Sequence, residues 1–90
     1  MSRFKSKNVI IFSVIIMYER LKDLREDKNK TQKDIAEIIN MSRTGYNQYE
    51  TGKNDIPTKV LIELSKYYNT SIDYLLGQTN ETKPYPRIKK

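Results

Sequence analysis

Between Thr31 and Gly52 the apolar residues fall into two short helical stripes separated by a turn. Ile35, Ile38 and Ile39 recur at i, i+3 and i+4, which is one face of a 3.6-residue period, and the small Ala36 on the same side lets another backbone approach closely. Tyr46 and Tyr49 are three apart and face back toward that stripe, with Met41 between the two segments. The pattern predicts two helices crossing steeply through a turn of roughly three or four residues. Arg43, Thr44, Asn47 and Gln48 fall outside the second stripe and form a polar face that is free to touch another molecule.

The predicted ends have mechanisms. Thr31 can accept from the N–H of Asp34 while Asp34 reaches back to the Thr31 N–H, a capping box with Asp in place of Glu. Ser42 can cap the second helix, Asn40 in the turn tolerates positive φ, and Gly52 suits a left-handed C′ position. A helix from about Tyr18 to Lys28 precedes the pair, with Tyr18, Leu21, Leu24 and Arg25 on one side. Pro57 disfavours helix at Ile56 and prepares a start at Thr58; that helix runs to Tyr68 with Val60, Leu61, Leu64 and Tyr68 inward, and Asn69 ends it. A fifth, short helix follows the Ser71 cap through Ile72, Leu75 and Leu76 to Gly77. From Gln78 onward Thr, Asn, Pro84 and Pro86 predict an extended or disordered tail.

Charge changes the picture less than its total suggests. The net charge is +6, but residues 1–16 hold +3 and residues 79–90 another +3, while 17–78 carry ten basic and ten acidic side chains. A basic total therefore identifies no binding face within the domain. The absence of Cys and His removes disulfides, thiolate metal sites and the commonest metal ligand and general base, so neither a metal, a cofactor nor enzyme chemistry is expected.

Four blocks, ERLKDLRED, TQKDIAEIINMS, YETGK and NTSIDYLLG, make the stretch from about Tyr18 to Gly77 resemble the lambdoid phage repressor and Cro family of helix-turn-helix, Xre-type regulators. The resemblance implies an all-α fold, a compact five-helix bundle over residues 17–78, flanked by an N-terminal extension (1–16) and a basic, Pro-containing extended C-terminal tail (79–90). Asn40 stands where the family usually has Gly and Tyr46 where it usually has Ile or Val. Gly45 inside the second helix should cost roughly 0.5–1 kcal/mol relative to Ala.

A helix about 10 Å across fits a major groove about 12 Å wide, its N-terminal residues reaching base edges. Arg43 could pair with guanine, Asn47 or Gln48 with adenine, and Thr44 with a phosphate or a thymine methyl. The resemblance points to the same base-contacting positions, most directly Arg43, Thr44 and Gln48. It also matches Gln32 to a phosphate-binding glutamine; Lys53, Asn54 and Thr51 are the other expected phosphate contacts, and Lys28, Lys30 and Lys33 form a basic cluster nearby. The implied function is a double-stranded DNA-binding transcriptional repressor, bacterial or phage-encoded and cytoplasmic, acting as a homodimer on an inverted repeat.

A second reading is a protein-interaction module, an antitoxin or accessory regulator working through a partner protein. Val9–Met17 is the feature that favours it: an apolar run of nine residues, broken by Ser13, behind three basic residues. It falls short of the roughly 20 residues of a membrane span, and no small-residue cleavage site follows. An extension packed on the domain or a second subunit, a disordered apolar arm, and upstream sequence from an early start codon are the alternatives for 1–16. Seven tyrosines suggest a stacking platform, but Tyr18, Tyr46, Tyr49 and Tyr68 lie on inward stripes; Tyr67 and Tyr74 are left for surface or dimer contacts, and Tyr85 has no evident burial.

Overall fold

The computed structural model describes residues 19–86 and 88. Among them are five helices and no strand: α1 over 19–27, α2 (Gln32–Ile38), α3 (Arg43–Glu50), α4 (Thr58–Tyr68) and α5 (Ile72–Leu75). The extension 1–16, with Met17 and Tyr18, lies outside the described residues, as do Arg87, Lys89 and Lys90 of the tail.

Polar side chains set the boundaries. The capping box closes as expected: Thr31 Oγ1 accepts from Asp34 N at 3.0 Å, and Thr31 N donates to Asp34 Oδ2 at 2.9 Å. The bond from the Thr31 backbone N–H, and after it the nearby Thr31 hydroxyl, hold the Asp34 carboxyl below its ordinary range. Ser42 Oγ accepts from Gly45 N and Ser71 Oγ from Tyr74 N, each at 3.0 Å. Asn40 and Asn69 adopt φ of 58° and 54°, and Gly52 and Gly77 are left-handed as well. Asn29, at φ 55°, is a third left-handed asparagine, where Asn29 N bonds Glu26 O and Lys30 N bonds Arg25 O as α1 ends. The sequence pattern did not single it out.

Leu21, Ile35, Ala36, Ile39, Tyr46, Tyr49, Leu64, Tyr68 and Leu75 form the buried core. Leu24, Met41, Val60 and Leu61 pack half-buried around it, as does Tyr67, whose ring meets Tyr68 edge-on at 5.0 Å. Ile38 departs from the expected stripe and is 44% exposed. Side chains step about 100° per residue around a helix, so a face centred between Ile35, Ile39 and Ala36 leaves Ile38 on its shoulder. Ala36, 1% exposed, completes that face on the side away from Ile38.

The tail is extended through its described residues and tied to the bundle. Arg20 donates to Tyr74 O at 2.8 Å, to Asn80 Oδ1 at 2.6 Å and to Thr79 O, and its guanidinium lies 4.1 Å from the Tyr74 ring centroid. Buried Thr70 donates to Thr82 O at 2.6 Å, and Tyr85, itself exposed, donates to Asp73 at 2.6 Å.

Candidate nucleic-acid interface

The site is assembled on an ion pair that spans the bundle. Arg25 of α1 donates through Nε to Glu50 Oε2 at 2.7 Å and through a second nitrogen to Oε1 at 3.1 Å, while its third nitrogen holds Lys30 O at 3.0 Å. The two side chains are only 11% and 5% exposed, so the pair is largely desolvated. Burial by itself would push the Glu50 carboxyl up, but hydrogen bonds led by Arg25 outweigh it and hold the group below its ordinary 4.5. Bidentate geometry of this kind fixes the end of α3 against α1.

Gln32, the first residue of α2, extends the network. Its Nε2 donates both to Glu50 Oε1 at 3.1 Å and to Asn47 Oδ1 at 2.9 Å. Arg25 and Glu50 were not among the sequence-derived site residues. Their signal was a cation on the inward side of the first helix, which must find an anion if the core beside it is dry. The Tyr46 hydroxyl is buried near Glu50, and burial first and that carboxylate next push the phenol well above its ordinary value. Tyr46 and Tyr68 hydroxyls have no hydrogen-bond partner among the described residues.

Three of the four expected base-reading residues, Arg43, Thr44 and Asn47, share one surface. Arg43 and Thr44 are exposed at the start of α3, and Asn47 and Gln48 are half-buried one turn later. Gln32, Arg43, Thr44 and Asn47 line one depression of about 190 Å³. A second, of about 490 Å³, is lined by Arg25, Lys30, Thr31, Gln32, Lys33 and Arg43 and is strongly basic. Of the lysine cluster, Lys28 points elsewhere, its ammonium 5.2 Å from the Tyr67 ring centroid.

The remaining expected residues gather at the far end of α3. Asn54 Nδ2 donates to Gln48 Oε1, Asn54 N to Gln48 O at 3.1 Å, and Thr51 Oγ1 to Gln48 O at 3.4 Å. Lys53 is exposed in the same loop. The eight residues therefore form two groups, one at each end of α3, with Gln48 joining the second.

Two short helices set against each other through a left-handed Asn40, with an outward polar face on the second, define a helix-turn-helix protein. A family model described as "Helix-turn-helix" matches residues 21–75, more than half of the chain, and the chain belongs to that family. It is 40% identical over 65 residues to the HTH-type transcriptional regulator ImmR of Bacillus subtilis, covering 72% of this chain and 51% of that protein. It is 37% identical over 60 residues to the cryptic phage CTXphi transcriptional repressor RstR of Vibrio cholerae, covering 67% and 54%. Similarity to the HTH-type transcriptional activator BcrR of Enterococcus faecalis is 40% over 59 residues, covering 66% of this chain and 29% of that protein. The chain thus spans about half the length of the first two relatives. No solved structure matches it. These matches are to regulators rather than enzymes; among the described residues no His, Cys, Asp and Glu cluster could hold a metal and no helix is long and apolar enough to cross a membrane.

Proposed function

We propose that the chain is a sequence-specific double-stranded DNA-binding domain that represses transcription, inserting α3 into the major groove. The observation that carries this reading is the joint surface of Arg43, Thr44 and Asn47 with the basic depression of Lys30, Lys33 and Arg43 beside it. Base-edge donors and phosphate-neutralising cations are what a groove and its flanking strand require. At the other end, Lys53 and Asn54 take the opposite strand, and Gln48 faces the groove between them. Gln32 contributes chiefly by positioning, since both of its amide N–H groups are spent on Glu50 and Asn47.

Binding is as a two-fold dimer on an inverted repeat, with half-sites about one helical turn apart. The description of RstR as a repressor supports repression, in which the bound domain occupies a promoter. The test is selection of bound sites from a random duplex pool, followed by affinity measurements on the consensus. Arg43→Ala or Gln48→Ala should cost about 1–3 kcal/mol and relax one base pair, whereas Lys53→Ala should weaken every sequence alike. Equal losses on consensus and random DNA for both kinds of variant sink the assignment, and a consensus without two-fold symmetry sinks the dimer.

A further inference from the structure

We infer that Asn54 is a positioning residue for base recognition: its side chain holds the Gln48 amide in one orientation and so sets how sharply one base pair is read. The inference rests on the DNA-reading role of α3 proposed above and gives Asn54 a part in that reading beyond its place beside the strand.

The two residues are joined twice. Gln48 O, near the C-terminal end of α3, accepts from Asn54 N at 3.1 Å and from Thr51 Oγ1 at 3.4 Å, which ties the loop to the helix. Gln48 Oε1 accepts in turn from Asn54 Nδ2. The backbone bond brings the two side chains together, and the side-chain bond orients the Gln48 amide. Each amide offers a donor and an acceptor, so the bond persists when both are turned over, and the positioning does not depend on which end faces which. The arrangement repeats at the other end of α3, where Gln32 donates to Asn47 Oδ1. Both amides on the outer face of α3 are thus held by residues from outside it.

Gln48 is half-buried and Asn54 is exposed, so water can replace the bond between them and it adds little to stability. Its effect falls on orientation instead. Glutamine reaches a base through several torsions, and each of its sp³ torsions has three staggered wells. Without Asn54 the reading orientation becomes one of several, and apparent affinity falls by the fraction lost. Freeing one or two torsions makes that fraction about threefold to tenfold. The loss is confined to sequences on which Gln48 makes its base contact, whereas loss of a phosphate contact weakens every sequence alike.

Selection from a random duplex pool with the full chain, followed by affinities for the consensus and its single-base variants, tests this. Gln48→Ala first locates the base pair by relaxing it. Asn54→Ala keeps the backbone bond to Gln48 O and should melt close to the wild type. It should lower discrimination at that same base pair about threefold to tenfold per half-site and leave the other positions unchanged. Where Asn54→Ala melts early, Asn54→Leu, of similar reach but with no polar group, carries the same test. In a Gln48→Ala background Asn54→Ala should change discrimination no further, any remaining loss being equal on all sequences. Discrimination unchanged by Asn54→Ala, or lowered as much in the Gln48→Ala background as in the wild type, overturns the inference while DNA reading stands. So does a Gln48→Ala chain that relaxes no base pair. A wild-type chain that enriches no sequence overturns DNA reading itself and the inference with it.

Discussion

The two ends of this bundle are fastened by an arginine each, and the two arginines work in opposite ways. Arg25 is paired with a carboxylate, nearly out of water, and orders the face formed by α2 and α3. Arg20, part of the same α1, spends its donors on neutral acceptors, Tyr74 O, Thr79 O and Asn80 Oδ1, and stacks on Tyr74 to hold α5 and the tail. A desolvated charge is costly unless paired, so the first fastening is intolerant of losing one partner. The second divides its interaction among several groups near solvent and should loosen gradually. Each fastening suits the end it serves, because the proposed reading face needs one geometry whereas a tail needs only to be kept close.

Breaking the first fastening should give the largest effect. Glu50→Ala or Arg25→Ala leaves an uncompensated buried charge and should cost about 3–5 kcal/mol in chemical denaturation. The double variant Arg25→Met, Glu50→Leu should recover most of that, because it removes both charges and fills the space. Recovery of stability without recovery of the consensus would separate the pair's contribution to folding from its contribution to the reading face. A double variant as unstable as either single one would show that the pair itself, and not the orphaned charge, supplies the stability.

The same pair gives a pH dependence. Glu50 has a folded-state value below its ordinary 4.5, so its stabilisation is fully present above that value and is lost as pH falls through the folded one. Stability should therefore decline on acidification below about 4.5, and Glu50→Gln should flatten the decline. Asp34 shifts in the same direction at the surface, so some slope should survive in Glu50→Gln.

Much of this architecture was legible in the chain. Thr31, Ser42, Asn40, Asn69 and Ser71 sit where they do because local hydrogen bonding and positive φ demand those residue types, and local rules need no tertiary information. The inward placing of Tyr46, Tyr49 and Tyr68 followed from spacing alone. The fastenings were not legible, because Arg25 to Glu50 and Arg20 to Asn80 join residues far apart in sequence, and charge counting cannot say which Arg meets which acceptor. Ile38 was misplaced for a related reason: periodicity gives the direction of a stripe, while its width depends on what packs against it. The eight candidate residues were proposed as types at spacings; that Gln32 is bonded to Asn47 and Gln48 to Asn54 needed the fold.

Loosening the second fastening should do less. Arg20→Ala removes three hydrogen bonds to uncharged acceptors and one stacked guanidinium, and should cost about 1–2 kcal/mol in the same denaturation measurement. Affinity for the selected DNA should stay within about twofold, since none of the Arg20 partners Tyr74, Thr79 and Asn80 lies on α3. A tenfold loss of affinity would mean the two ends are coupled and would remove the contrast drawn between them.

The smallest effect is expected within α3, at Gly45. A glycine inside α3 should cost roughly 0.5–1 kcal/mol relative to alanine, so Gly45→Ala would stabilise the domain if helix propensity were the whole account. The fold opposes it: an added Cβ would lie 2.8 Å from Met41 Cε and 3.2 Å from Ser42 Oγ, the cap of Gly45 N. Met41 is flexible and its terminal methyl can swing away, but it packs against the core and gives up contacts in doing so. Gain and loss are of similar size, and Gly45→Ala should change stability by less than about 0.5 kcal/mol. In a Met41→Ala background, where the obstructing methyl is gone, the same substitution should stabilise by up to about 1 kcal/mol. The non-additivity of the two changes, read by a double-mutant cycle, is the decisive quantity. Additive effects would place the cost at the Ser42 cap instead of at Met41.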